Sequence, residues 1–414
     1  MPLYVEGPVG QVFFPLIGIT LSLSKMRLST FLISSLLSLT VSAAPSASSK
    51  VPDYFSQRVV FTPPSDYNDP RTLYARTAEF ENGNLLATWE NYSPEGSTPE
   101  SKVYFPIYKS TDGGNSWNEI ARVHDQAQPQ NGLRYQPFLY ILPKKFGKWP
   151  AGTVLLSGSS IPTDLSTTQI ELYVSTDKGY TWTFVSHIAA GGEAIPNNGL
   201  TPVWEPFLML YQNKLICYYS DQRENATYGQ KLVHQTTTDG LTWGPVVNDV
   251  THSEYWMRPG MTTISQLPND KYLITYEFGG GPGFTSGYHF PVTYRLSSDP
   301  EKFESAADIP LVTTDGVVPE GSPYNVWSPV GGKNGTIIVS CGTSSDIYIN
   351  RGLGEPGTPW IRVPTPEKEA YTRHLRVLHH QQKLLIMGGG ILPPSGGNNK
   401  VELSVVDIAG FPGA

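Results

Sequence analysis

Two glutamates stand in settings suited to acid–base or nucleophilic work. Glu205 lies between Trp204 and Pro206, ahead of the apolar Phe207-Leu208-Met209-Leu210. Glu277 ends the apolar run 272–276 and precedes Phe278-Gly279-Gly280-Gly281. A carboxyl flanked by aromatic rings and facing a partly apolar cavity has its pKa pushed up, which a general acid requires. Cleavage of a glycosidic bond with retention uses two carboxyls about 5–5.5 Å apart, one as nucleophile and one as acid/base. From spacing alone, a pair of structural ion pairs to Arg258 and Arg373 stands level with catalysis.

The elements that would position these side chains repeat along the chain. Six segments are built alike: a polar residue near an aromatic or proline, an apolar run, a short turn, then a second apolar run. Irregular gaps between the repeats argue against a thin solenoid and for four-stranded blades with variable loops, hence an all-β, six-bladed β-propeller. Polar residues at the start of each first strand and the end of each second strand would reach the mouth of the central channel. The first strands offer Arg76, Gln136, Glu205, Arg258, Ser328 and Arg373; the second strands offer Glu90, Asp221 and Glu277. Glu205 and Glu277 fall in adjacent blades and so can meet. The last repeat holds three strands, so residues 57–61 are expected to supply the fourth and close the ring, removing exposed sheet edges.

A second repeat marks the turns. Ser110-Thr111-Asp112-Gly113-Gly114-Asn115-Ser116-Trp117 recurs as Ser175-Thr176-Asp177-Lys178-Gly179-Tyr180-Thr181-Trp182. A shortened copy runs 237–243, and a faint one begins at Ser297. In each the aspartate can accept backbone N–H bonds, the glycine supplies a positive φ, and the tryptophan anchors the turn. These aspartates read as structural, since a turn carboxylate bonded to its own backbone is already occupied. The motif resembles the Asp-box (BNR) repeat of sialidase-like propellers and is expected between the third and fourth strands of a blade.

Composition agrees. The chain has 414 residues, 40 glycines, 36 prolines, 12% aromatic residues and a formal net charge of −7. Such a turn-rich, mildly acidic chain without basic clusters is a poor partner for nucleic acid. Residues 1–43 read as an upstream extension followed by a secretory signal peptide. Lys25-Met26-Arg27 precedes an apolar run and the small-residue site Val41-Ser42-Ala43, with Met26 as the natural start. That run is too short to span a bilayer, so a secreted chain is expected, with residues 44–414 forming one propeller domain. Cys217 and Cys341 sit in apolar runs of different repeats and are expected as buried thiols. The histidines show no metal-ligand spacing.

The motifs Trp-Glu-Pro-Phe and Tyr-Glu-Phe-Gly-Gly-Gly, on an Asp-box propeller, resemble those of the fungal exo-α-1,5-L-arabinanases of glycoside hydrolase family 93. The resemblance covers about residues 54–410. It implies a retaining enzyme, without cofactor or metal and expected as a monomer, that releases arabinobiose from the non-reducing end of linear arabinan or arabino-oligosaccharides. It also implies Glu205 as acid/base and Glu277 as nucleophile, with Tyr371 holding the nucleophile by a phenol hydrogen bond. By position, Arg76, Asp221, Arg258 and Arg373 are candidates to bond sugar hydroxyls or orient a carboxylate, and Trp89, Tyr135, Trp204 and Trp327 to stack on furanose rings. Exo action needs a blocked channel end, for which the loops 161–168 and 189–202 are long enough. A sialidase is the first rival, since Arg76, Arg258 and Tyr371 fit its needs, but Ser328 stands where a third arginine is required. The second rival is a non-catalytic binding propeller.

Overall fold

The computed structural model describes residues 55–379 and 382–412; the expected signal segment, including Met26, lies outside the described residues. Between these bounds the strands form six four-stranded antiparallel sheets. Five are contiguous in sequence, covering residues 72–123, 132–191, 203–250, 258–310 and 324–363. The sixth takes three strands from residues 374–407 and its outer strand from Phe55–Phe61, which pairs antiparallel with Val401–Asp407. The ring therefore closes through the N-terminal strand, as expected. Phe61 then stacks on Trp89 of the first blade at 5.2 Å, tying the closing strand to its neighbour.

Burial follows from this arrangement. The second strand of a blade is covered by the blades on either side, so it needs apolar residues on both faces. Leu215-Ile216-Cys217-Tyr218-Tyr219 is such a strand, with every one of these residues fully buried. The outer strands, Asn118–Val123 and Thr183–Gly191 among them, face solvent and mix polar with apolar side chains. Cys217 and Cys341 are both buried free thiols.

The aspartate turns join third and fourth strands on the outer rim. Asp112 Oδ1 accepts the backbone N–H of Ser116 at 2.9 Å, and Trp117 Nε1–H donates to the Gly114 carbonyl at 2.9 Å. Asp177 repeats the pattern with Thr181 at 2.9 Å, and Trp182 donates to Gly179 at 2.9 Å. Gly114 and Gly179 have φ of 93° and 96°, which an L side chain resists. In the shortened copy Asp239 accepts from Leu241 and Thr242, while Trp243 reaches Ser186 of the preceding blade.

Candidate active site

Every blade carries one unusual residue near the axial start of its inner strand. Tyr74, Gln136, Glu205, Met261, Ser322 and Thr372 all have positive φ, between 37° and 64°. In four blades the residue sits at or beside a break in register with the second strand. A left-handed non-glycine residue costs about 1 kcal/mol or more, and such positions persist where the fold over-determines them. Here each bulge breaks the strict alternation of the strand and aims a side chain or an N–H group at the axis.

Two of these bulges build the central pair. Glu205 is itself the bulge residue of the third blade, and its Oε2 accepts from Ser220 Oγ at 2.7 Å and from the bulge N–H of Met261 at 2.8 Å. Glu277 comes from the second strand of the fourth blade, and its Oε2 accepts the bulge N–H of Ser322 at 2.7 Å. The two carboxylates face each other over Gly260. A Cβ placed there would lie 3.6 Å from Glu277 Oε1 and 3.8 Å from Glu205 Oε2, so those oxygens stand no farther apart than the sum of the two. Neither carboxylate is taken up by Arg258 or Arg373. Arg258 donates to Gln222 at 3.1 Å, to Gln230 at 3.0 Å and to Asn198; Arg373 donates to the Ser344 carbonyl. The ion-pair alternative therefore has no support in the geometry.

A third carboxylate belongs to the same group. Glu90 Oε1 accepts the N–H of Gln136 at 2.9 Å, and Gln136 Oε1 accepts the N–H of Glu205 at 3.2 Å. Tyr92 donates to the other oxygen of Glu90 at 2.7 Å.

Burial dominates the electrostatics. It pushes Glu277 up to about 7, and the nearby charge of Glu205 adds to this while Ser322 and Arg258 oppose it. Glu277 keeps some exposure because its carboxyl looks into the cavity, but protein surrounds it on the other sides. Burial also raises Glu205, but Ser220, the Met261 N–H, Arg258 and Arg76 all favour its ionised form. Glu90 is raised to about 7 by burial, against Tyr92 and Gln136.

These groups line a cavity of about 570 Å³. Tyr135, Trp204, Arg258 and Tyr371 share its wall. Trp204 is fixed by its Nε1–H on Gln222 at 3.1 Å. Tyr371 packs edge-on to Tyr74 at 6.2 Å, and its phenol is held far above its usual range by burial and then by the charges of Glu205 and Glu277. The hydrogen bond found on Glu277 comes from the Ser322 backbone, in the place expected of the Tyr371 phenol.

Five expected sugar contacts are not in the cavity wall. Arg76 reaches across to the sixth blade, donating to Thr372 at 3.0 Å and covering the Tyr74 ring at 4.0 Å. Trp89 neighbours Glu90 on one strand and so points to the opposite face, against Phe61 and Tyr108. Asp221 pairs with Arg223 at 2.7 Å. Trp327 donates to the Asn334 carbonyl at 3.0 Å and packs in a core cluster. Arg373 is fully buried. The cause is register: the axial positions in these repeats are Tyr74, Ser322 and Thr372, not 76, 328 and 373. The inner strand of the fifth blade is Tyr324–Ser328, so Trp327 and Ser328 lie at its far end.

Several residues of the site had no signal strong enough to pick out. Ser322 in the wall and Ser220 behind Glu205 are single serines, and Glu320 and Glu369 of the wall lie outside strands. Glu90 carried the same signal as Glu277, a carboxylate ending an apolar second strand. Of the loops expected to cover the site, 189–202 supplies Pro196 to the wall and Asn198 to Arg258, and its first three residues belong to the strand Thr183–Gly191.

No protein-family model and no curated protein matches the chain. Among solved structures, the α-L-arabinofuranosidase of Fusarium graminearum with an iminosugar inhibitor is 57% identical over 86% of this chain and 99% of its own, with a TM-score of 0.84. The same organism's glycoside hydrolase family 93 enzyme with arabinobiose gives 57% identity, 86% and 98% coverage and a TM-score of 0.83. The α-L-arabinanase of Penicillium chrysogenum with arabinobiose gives 56%, 87% and 100%, and 0.83. The NanB sialidase of Streptococcus pneumoniae, at 10% identity and a TM-score of 0.54, shares the fold alone. With 57% of its residues identical over nearly the whole length of such a relative, this chain belongs to glycoside hydrolase family 93.

Proposed function

We propose that the protein is a secreted, retaining exo-α-1,5-L-arabinanase that frees arabinobiose from the non-reducing end of linear arabinan. The observation that carries this reading is the pair Glu205 and Glu277, facing each other over Gly260 in a cavity of about 570 Å³. The Gly260 distances bring one oxygen of each carboxyl to the same part of the cavity, as two-carboxyl glycoside hydrolysis requires. The relatives solved with arabinobiose support the substrate class.

In the reaction one carboxylate attacks the anomeric carbon while the other protonates the departing glycosidic oxygen; the second then draws a proton from water for hydrolysis of the glycosyl-enzyme. The resemblance divides the labour as Glu205 acid/base and Glu277 nucleophile. Burial raises both carboxyls, while Ser220, the Met261 N–H and Arg258 favour the ionised form of Glu205, and the Ser322 N–H and Arg258 that of Glu277.

The experiment is expression from Met26 in a secreting host, followed by incubation of the mature protein with linear arabinan and, separately, a sialoside. Arabinobiose should accumulate, with the α-anomer appearing first by proton NMR. First appearance of the β-anomer would remove the retaining mechanism, and sialic acid release would favour the sialidase.

A further inference from the structure

The cavity does not end at the glutamates. A second cavity of about 510 Å³ lies between the fifth and sixth blades, and Glu369 and Ile391 line both. We infer that this second cavity is a distal groove for the polysaccharide, holding the part of an arabinan chain that continues beyond the cleaved bond. The inference rests on the arabinanase reading above and adds a direction to it.

Two asymmetries carry the direction. On the side of the second to fourth blades the mouth is walled by the 192–202 loop, pinned at both flanks. Ala194 donates to the Leu165 carbonyl at 2.8 Å, Gln222 to the Asn197 carbonyl at 3.1 Å, and Asn198 to the Tyr255 carbonyl at 3.1 Å. On the opposite side the rim is Ile391 and Leu392, exposed by 39% and 41%. A chain whose terminal disaccharide fills the cavity has its way out over this low rim, where the second cavity begins.

The lining suits a neutral, hydroxyl-rich chain. Glu402 sits between Lys368 at 3.1 Å and Lys400 at 2.8 Å, so its charge is compensated. Glu367 receives Ser404 Oγ at 2.6 Å, and burial raises it to about 7. Glu369 and Asn398 are exposed and add an acceptor and an amide that can both donate and accept. A lining of charges largely paired with one another, with amide and hydroxyl groups between them, suits sugar hydroxyls better than an anion, which would meet the exposed Glu369.

The test compares chain lengths. Wild type, the double variant Asn398→Ala/Lys400→Ala, and Ser345→Trp, which fills the groove from the fifth-blade side, are assayed on long linear arabinan and on arabinotriose. Thermal melts confirm that each variant is folded, and Ser345→Trp stands in if the double variant is not. Both variants should lose about tenfold in kcat/KM on arabinan, the loss of one or two good hydrogen bonds, while arabinotriose changes less than about twofold. Equal losses on the two substrates, or no loss on arabinan, overturn the groove. A wild type inactive on both substrates overturns the arabinanase reading itself.

Discussion

Carboxylates occupy two regions of this propeller under opposite physics. On the outer rim, Asp112, Asp177 and Asp239 lie in exposed turns. Burial raises Asp112 and Asp177, but hydrogen bonds from neighbouring N–H and hydroxyl groups together outweigh it and hold all three below their usual pKa. Around the axis, Glu90, Glu205 and Glu277 are enclosed by blades, and burial raises all three. The rim aspartates spend their acceptor capacity on their own backbone and hold a turn. The axial glutamates keep oxygens directed into a cavity, and burial takes Glu90 and Glu277 up to about 7. What separates the two sets of carboxylates is how many local donors satisfy each one and how much water reaches it.

The strongest way to break this comparison is to neutralise the axial pair. Glu205→Ala and Glu277→Ala should each lower kcat on linear arabinan by about three orders of magnitude or more with the fold intact. On an activated aryl arabinobioside, azide should restore turnover with retained configuration to Glu205→Ala and not to Glu277→Ala, because a good leaving group needs no acid. Such rescue of the Glu277 variant instead would exchange the two roles.

A pH series comes next. Glu90, Glu277 and Glu367 have folded values near 7 and Glu171 near 8, all raised above the usual 4.5. A raised carboxyl favours the protonated folded state, so this stabilisation is complete below pH ~4.5 and is lost as pH climbs through 7. Tm should therefore fall by several degrees between pH 5 and pH 8. Glu277→Gln should flatten that fall and raise Tm at pH 8, whereas Asp177→Asn should leave the slope unchanged. In the wild type, kcat/KM should also trace a bell in pH, falling on the acid side as the nucleophile is protonated and on the alkaline side as the acid ionises.

The smallest effect belongs to the rim. Asp177→Ala removes the acceptor for Thr181 and Tyr180 and should lower Tm by about 2–4 °C with kcat/KM unchanged. A large loss of activity in this variant would erase the distinction between the two regions.

How much of this was legible beforehand differs between scaffold and site. The six repeats, the closing strand and the rim turns were readable because they rest on local patterns: apolar runs of strand length, and Asp, Gly and Trp at fixed offsets. The glutamate pair was readable because each ends or opens an apolar run beside aromatic residues. The surrounding wall was readable only in part. Tyr135, Trp204, Arg258 and Tyr371 reach the cavity, but Arg76, Trp89, Asp221, Trp327 and Arg373 do not.

The sequence by itself determined that this chain makes strands in groups of four and places acidic residues at their axial ends. Only the tertiary structure decided which residue of each inner strand turns toward the axis. That choice falls on a left-handed bulge at tyrosine, glutamine, glutamate, methionine, serine or threonine, types with no shared preference for such a conformation. A shift of one residue along a strand moves a side chain to the opposite face, so local pattern brings Glu205 and Glu277 near the channel. It is the ring, packing one blade's left-handed N–H against the preceding blade's carboxylate, that sets their distance and their protonation.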